Sequence, residues 1–93
     1  MTDNYTYEPD LSLYKSEEGY RKMMSWYERV SGEITVAHKS IFADTRFGKT
    51  HIIEAGDANQ KPVILIPGVA GCAPLWRHQI NAFSEHFRVL AID

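Results

Sequence analysis

Val63-Ile64-Leu65-Ile66-Pro67-Gly68-Val69-Ala70-Gly71-Cys72-Ala73-Pro74 is the stretch that decides the fold. Its first four residues are an unbroken β-branched and leucine run, the pattern of a strand covered on both faces, as in a parallel sheet. Pro67 to Pro74 follow as a glycine-rich loop, and Pro74 suits the first turn of a helix because its missing N–H needs no partner there. Beyond it Trp76, Ile80, Phe83 and Phe87 recur at steps of 4, 3 and 4, the stripe of an amphipathic helix. Val89, Leu90, Ala91 and Ile92, between Arg88 and Asp93, repeat the buried-strand pattern. Residues 63 to 92 therefore spell strand, loop, helix, strand: a βαβ unit and an α/β fold class.

Upstream the period changes twice. Residues 1–15 mix Tyr5, Tyr7, Pro9 and Tyr14 with polar residues at no clear spacing and read as an irregular lead-in whose tyrosines pack elsewhere. Residues 16–31 form an N-terminal helix: Tyr20, Met23, Met24, Tyr27 and Val30 share one face, Ser16 caps, Glu17 and Glu18 suit the positive end, and Ser31-Gly32 stops it. From 33 onward Ile34, Val36, Ile41 and Phe42, then Ile52 and Ile53, mark two strands from Glu33 to Ala43 and from Lys49 to Ala55, an antiparallel pair joined through Asp44 to Gly48. Residues 56–62 are dense in turn formers.

The 93 residues are 44% hydrophobic and 24% charged, with a formal charge of −2, the make-up of an ordinary globular protein. That balance offers no basic face for nucleic acid or an anionic membrane. No apolar run approaches the roughly 20 residues of a membrane span, and the polar start lacks a signal-peptide pattern, so a cytoplasmic location is expected. Cys72 is the one cysteine, which excludes an internal disulfide and a cysteine-based zinc cluster. Neither a metal nor a cofactor is expected.

Two strands covered on both faces require helices above and below the sheet, yet one crossover helix and one N-terminal helix serve four strands. One face is expected to stay partly bare, and the strand ending at Asp93 has no covering element after it. The chain thus reads as the front portion of a larger α/β domain. The compact alternative is a small α+β fold in which the N-terminal helix covers the open face.

Chemistry in open α/β sheets gathers at the carboxyl ends of the strands, here the loop after Ile66 and the rim at Asp93. Three readings of the loop compete. A phosphate-binding loop fails, because Pro74 stands where G-x-x-x-x-G-K-[ST] needs its lysine. A dinucleotide site has Gly68 and Gly71 for its last two glycines and Asp93, 22 residues beyond Gly71, for the ribose, but Ile66 cannot replace the first glycine. An oxyanion loop needs backbone N–H donors fixed after a buried strand, and Gly68 and Val69 are so placed.

Thr45-Arg46-Phe47-Gly48-Lys49-Thr50-His51-Ile52-Ile53-Glu54-Ala55-Gly56, then Pro62 to Gly68, Trp76, and Phe87 to Asp93 resemble, in order and spacing, the opening of the α/β-hydrolase superfamily. The T-R-F-G-x-T-H stretch and the helix before it look most like bacterial carboxylesterases of the naproxen-esterase group. The resemblance implies that residues 33–93 are the N-terminal part of an α/β-hydrolase domain, an incomplete sheet of that fold. It also implies a serine hydrolase acting on a small-molecule ester, with the Val69 N–H, supported by Gly68, as half of the oxyanion hole. Pro67 stands where the family usually has histidine. A nucleophile elbow, G-x-S-x-G, occurs nowhere in the 93 residues, so this stretch is expected to be inactive alone.

The remaining chemistry-bearing residues have plainer readings. His38, His51, His78 and His86 are exposed or hydrogen-bonded structural side chains, and His78 and His86 stand too far apart on one helix to share a metal. Cys72, beside a helix start, is either a thiol of lowered pKa or a small packed residue, and the second is preferred. Asp93 reads as a loop or helix-capping carboxylate. Trp26, Trp76, Met23 and Met24 read as core. Against the hydrolase reading stand a non-catalytic binding or assembly module, docking a protein partner or a second copy through its open sheet, and, more distantly, a dinucleotide-binding βαβ unit.

Overall fold

The computed structural model describes residues 8–93, so Tyr5 and Tyr7 lie outside the described residues. The lead-in holds one 3-10 turn, Leu11–Leu13, where the Asp10 carboxylate accepts from the Ser12 N–H at 3.0 Å. Helix α1 spans Glu17–Ser31 and is capped as expected: Ser16 Oγ accepts from the Gly19 N–H at 2.9 Å. It ends at Gly32 in a right-handed conformation, φ −64°, so the stop there does not draw on glycine's left-handed freedom.

Strands β1 (His38–Thr45), β2 (Gly48–Ala55), β3 (Pro62–Leu65) and β4 (Arg88–Ile92) form one sheet in the order β1-β2-β4-β3. β1 and β2 are antiparallel, β2 and β4 antiparallel, and β3 and β4 parallel. A 3-10 turn, Ala73–Trp76, with Pro74 near its start, leads into α2, Arg77–Phe83. The helix, the antiparallel pair and the βαβ unit thus stand in the expected order.

Several boundaries differ from the expectation. β1 begins at His38 rather than Glu33, because Asn81 of α2 takes over the backbone before it: its Oδ1 accepts from Thr35 N–H at 2.8 Å and its Nδ2 donates to the Glu33 carbonyl at 3.0 Å. The hairpin is tighter, with Thr45 opposite Gly48 and only Arg46 and Phe47 between. Thr45 Oγ1 donates to the Gly48 carbonyl at 2.8 Å, and Gly48 sits at φ +115°, open to glycine alone without strain. The second helix stops at Phe83, leaving Phe87 in the connection to β4.

Register shows where the core lies. Ile53 stands opposite Ala91, Ala55 opposite Val89, and Leu65 beside Ala91, so these side chains share one face. Ile80 of α2, Ala73 and Ile34 complete the buried cluster, with Trp76 and Phe87 packed against it. On the same face, further along β2, His51 meets Tyr27 of α1. Both helices therefore cover one side of the sheet, contrary to the compact alternative, in which α1 would cover the other.

The opposite face carries Ile52, Leu90 and Ile64, and no helix lies on it among the described residues. Ile64 is 57% exposed and Ile66, just past β3, is 69% exposed. The double-sided burial implied by the apolar run is thus realised on one side. Glu54 also points to this face, where Arg88 Nε and Nη2 donate to its Oε2 at 2.9 and 2.6 Å and Lys39 Nζ approaches Oε1 at 3.3 Å. Met23, expected in the core, is exposed.

Candidate functional site

The loop after β3 turns back on itself: the Gly71 N–H donates to the Gly68 carbonyl at 2.9 Å, with Ala70 left-handed at φ +62°. A Cβ on Gly71 would stand 3.1 Å from that carbonyl, so the turn is closed tightly by a residue without one. Val69 projects from its tip fully exposed. Among the described residues its N–H takes part in no hydrogen bond. A Cβ on Gly68 would meet nothing within 4 Å, so the backbone there is open to approach from outside.

Beside this loop, Asp93 joins three elements. Its Oδ1 accepts from the Ala73 N–H at 2.7 Å, at the start of the 3-10 turn that follows the loop. Its Oδ2 accepts from the Tyr27 hydroxyl of α1 and from Nδ1–H of His51 on β2, and the Tyr27 oxygen lies 3.2 Å from that nitrogen. Because a carboxylate only accepts, the contact fixes the His51 proton on Nδ1. The Asp93 side chain is 22% exposed and that of His51 20%.

The electrostatics follow from this packing. Burial pushes the Asp93 carboxyl up, but donation by His51, Tyr27 and Ala73 outweighs it and holds the group below the ordinary carboxylate range. Burial, and then the bond to Asp93, push the Tyr27 phenol far above its usual value. For Cys72, burial and the nearby Asp93 charge raise the thiol, the direction opposite to that of an activated thiol.

The histidines separate clearly. His51 is hydrogen-bonded, His38 Nδ1 lies 2.8 Å from the Val36 carbonyl, and His78 and His86 are exposed. Among the described residues no serine hydroxyl and no thiol hydrogen-bonds the His51 ring, and the Asp93–His51 contact ties β2 to the residue that follows β4. Among the described residues no three His, Cys, Asp or Glu side chains are grouped to hold a metal. No helix among them is long and apolar enough to cross a membrane. An open cavity of about 590 Å³, lined by Tyr14, Met24, Tyr27, Phe42, His51 and Asp93 among others, lies between α1 and the β1–β2 pair.

The capping role expected of Asp93 is present at Ala73. Its links to Tyr27 and His51 were not legible, since they join residues 66 and 42 positions apart.

Sheet order, strand directions and the helix between β3 and β4 define a partial α/β-hydrolase-like sheet. The chain is homologous to the N-terminal part of Bacillus subtilis carboxylesterases. It is 36% identical over 84 residues to carboxylesterase YbfK, covering 90% of this chain and 28% of that protein. It is 30% identical over 93 residues to the uncharacterized carboxylesterase nap of strain 168, covering all of this chain and 29% of the relative. The crystal structure of naproxen esterase from Bacillus subtilis superposes with a TM-score of 0.71 at 30% identity, covering 86% of this chain and 28% of that one. The chain thus spans less than a third of the length of the relatives it matches. No family model matches it.

Proposed function

We propose that this chain is the N-terminal portion of a carboxylesterase-like serine hydrolase, that residues 33–93 contribute the first strands of its α/β-hydrolase domain, and that the Val69 N–H, carried on the Gly68 turn, is one donor of its oxyanion hole. The observation that carries the reading is homology along all 93 residues to the first part of a carboxylesterase, joined to a Val69 N–H, past the carboxyl end of β3, that takes part in no hydrogen bond among the described residues. Attack on an ester carbonyl turns its oxygen into an oxyanion. A backbone N–H already held in place stabilises that charge without reorganising, a contribution of about 3–4 kcal/mol to the barrier. The substrate is a small-molecule carboxylic ester. The G-x-S-x-G nucleophile, the acid and the base lie outside these 93 residues, and the chain by itself does not turn over esters.

The test uses the protein translated from coding DNA that continues past Asp93, assayed on p-nitrophenyl butyrate. Val69→Pro, which deletes the donor, is expected to lower kcat by about 10²–10³-fold with KM nearly unchanged. A loss under threefold overturns the assignment. The 93-residue chain, purified free of host esterases, is expected to show no saturable hydrolysis, and saturable turnover abolished by Val69→Pro would refute its inactivity.

The exposed Ile64 and Ile66 beside the unpaired edge of β3 favour a second reading, a non-catalytic assembly module that docks a partner or a second copy there. Concentration-dependent size in solution supports it, and a monomer at all concentrations opposes it. Against the dinucleotide reading, both oxygens of its ribose-binding acid, Asp93, already accept hydrogen bonds from within the fold. Saturable NAD binding at millimolar ligand would restore it.

A further inference from the structure

We infer that Asp93 is a positioning residue for the glycine loop: one carboxylate oxygen holds the Ala73 N–H at the loop's exit while the other is held by Tyr27 of α1 and His51 of β2. The loop's entry is fixed by β3, whose Leu65 pairs with Ala91 in the sheet. Its exit has no strand to hold it. Between the two anchors lies the Gly68–Gly71 turn that presents Val69, so the Ala73 contact sets where the turn closes. Asp93 immediately follows β4, and β4 is hydrogen-bonded to both β2 and β3, which makes its carboxylate a rigid post. Ala73 itself is fully buried, so the N–H it offers has no water to fall back on when the carboxylate is removed. The low-lying ionisation of Asp93 keeps the post charged at neutral pH.

The catalytic consequence rests on the oxyanion reading of Val69, while the structural consequence does not, so two readouts separate them. In the 93-residue chain, Asp93→Ala is expected to speed amide hydrogen exchange at Gly71 and Ala73 at least tenfold. Asp93→Asn, which keeps an acceptor for Ala73, is expected to stay within threefold of the parent. Tyr27→Phe removes one of the carboxylate's donors without touching the loop, and is expected to speed exchange at the same two amides about threefold. It also serves where Asp93→Ala gives no cooperative melt. In the longer protein assayed on p-nitrophenyl butyrate, Asp93→Ala is expected to lower kcat ten- to a hundredfold with KM within twofold, and Asp93→Asn to recover most of it. Unchanged exchange at Gly71 and Ala73 in Asp93→Ala, or in Tyr27→Phe where that variant stands in, overturns the inference. Faster exchange with an inert Val69→Pro leaves the positioning role standing and removes the oxyanion reading instead.

Discussion

Gly56 lies directly against the carbonyl of Phe87: a Cβ built at Gly56 would fall well inside van der Waals contact with that oxygen, and 3.2 Å from the carbonyl of Ser84. The backbone at Gly56 is also left-handed, φ +87°. The end of β2 therefore passes over the connection from α2 to β4 at a distance that leaves no room for a side chain. Gly56→Ala adds backbone strain of order 1–3 kcal/mol to the displacement of the turn that carries the Ser84 and Phe87 carbonyls. We expect a loss of at least about 2 kcal/mol in urea unfolding with an unchanged m-value. A midpoint equal to the parent's would mean that the connection yields without cost.

Glu54 carries a second expectation, in pH. Burial raises its carboxyl, but hydrogen bonds from Arg88 and Lys39 and their charges outweigh burial, so the folded-state value lies below the ordinary 4.5. The folded chain then binds fewer protons than the unfolded one between the two values. The stability Glu54 contributes is complete above the unfolded value and is lost as pH falls through the folded one. Glu54→Gln is expected to cost about 2 kcal/mol at pH 7, the scale of a hydrogen bond to a charged group. Its disadvantage should shrink below pH 4, as the parent's carboxyl is protonated. Parallel pH–stability curves for the two proteins would contradict this account.

Cys72 is expected to be a slow nucleophile. Burial and the Asp93 charge both raise its thiol above the usual 9.0, which leaves little thiolate at pH 8. Iodoacetamide should modify it more slowly than a cysteine in a short peptide under the same conditions. Asp93→Asn, which removes the charge, should narrow the gap. Labelling as fast as the peptide's would show that the thiol is neither shielded nor raised.

The elements whose chemistry is local were legible in the sequence, and those built by distant contacts were not. Ser16 caps because a hydroxyl three residues before Gly19 reaches its N–H whatever the rest of the chain does. The βαβ unit is written in uninterrupted apolar runs on either side of a stripe at helical spacing. By contrast, the alternation along β3 between buried Leu65 and exposed Ile64 cannot be read from four apolar residues in a row, since coverage is decided by where the helices land. Both land on one face, because α1 is drawn to His51 and Asp93, which share the face of Ile53 and Ala91. Tyr27 looked like one more apolar contact of a helix face, and its hydroxyl carries the role instead. The loop was found from its glycines, but its anchor was not. An aspartate at a strand end has many partners within reach of the pattern, and only the fold selects Ala73, Tyr27 and His51.

Asn81 is the clearest case of a residue that looks like solvent-facing helix surface and is not. Its side chain bonds the Thr35 N–H and the Glu33 carbonyl, with the Val36 N–H 3.4 Å from the same oxygen, and so fastens the segment between α1 and β1 to α2. That segment delivers Ile34 into the core. An amide is required because it offers an acceptor and a donor side by side; aspartate keeps the first, loses the second and faces the Glu33 carbonyl with a charge. Asn81→Ala is expected to cost about 1–2 kcal/mol and to speed amide exchange at Thr35 far more than at Ile53 in the sheet. Asn81→Asp should be worse than Asn81→Ala at pH 7 and recover as the carboxyl is protonated. Equal exchange at Thr35 in all three proteins would show that Ile34 alone holds the segment.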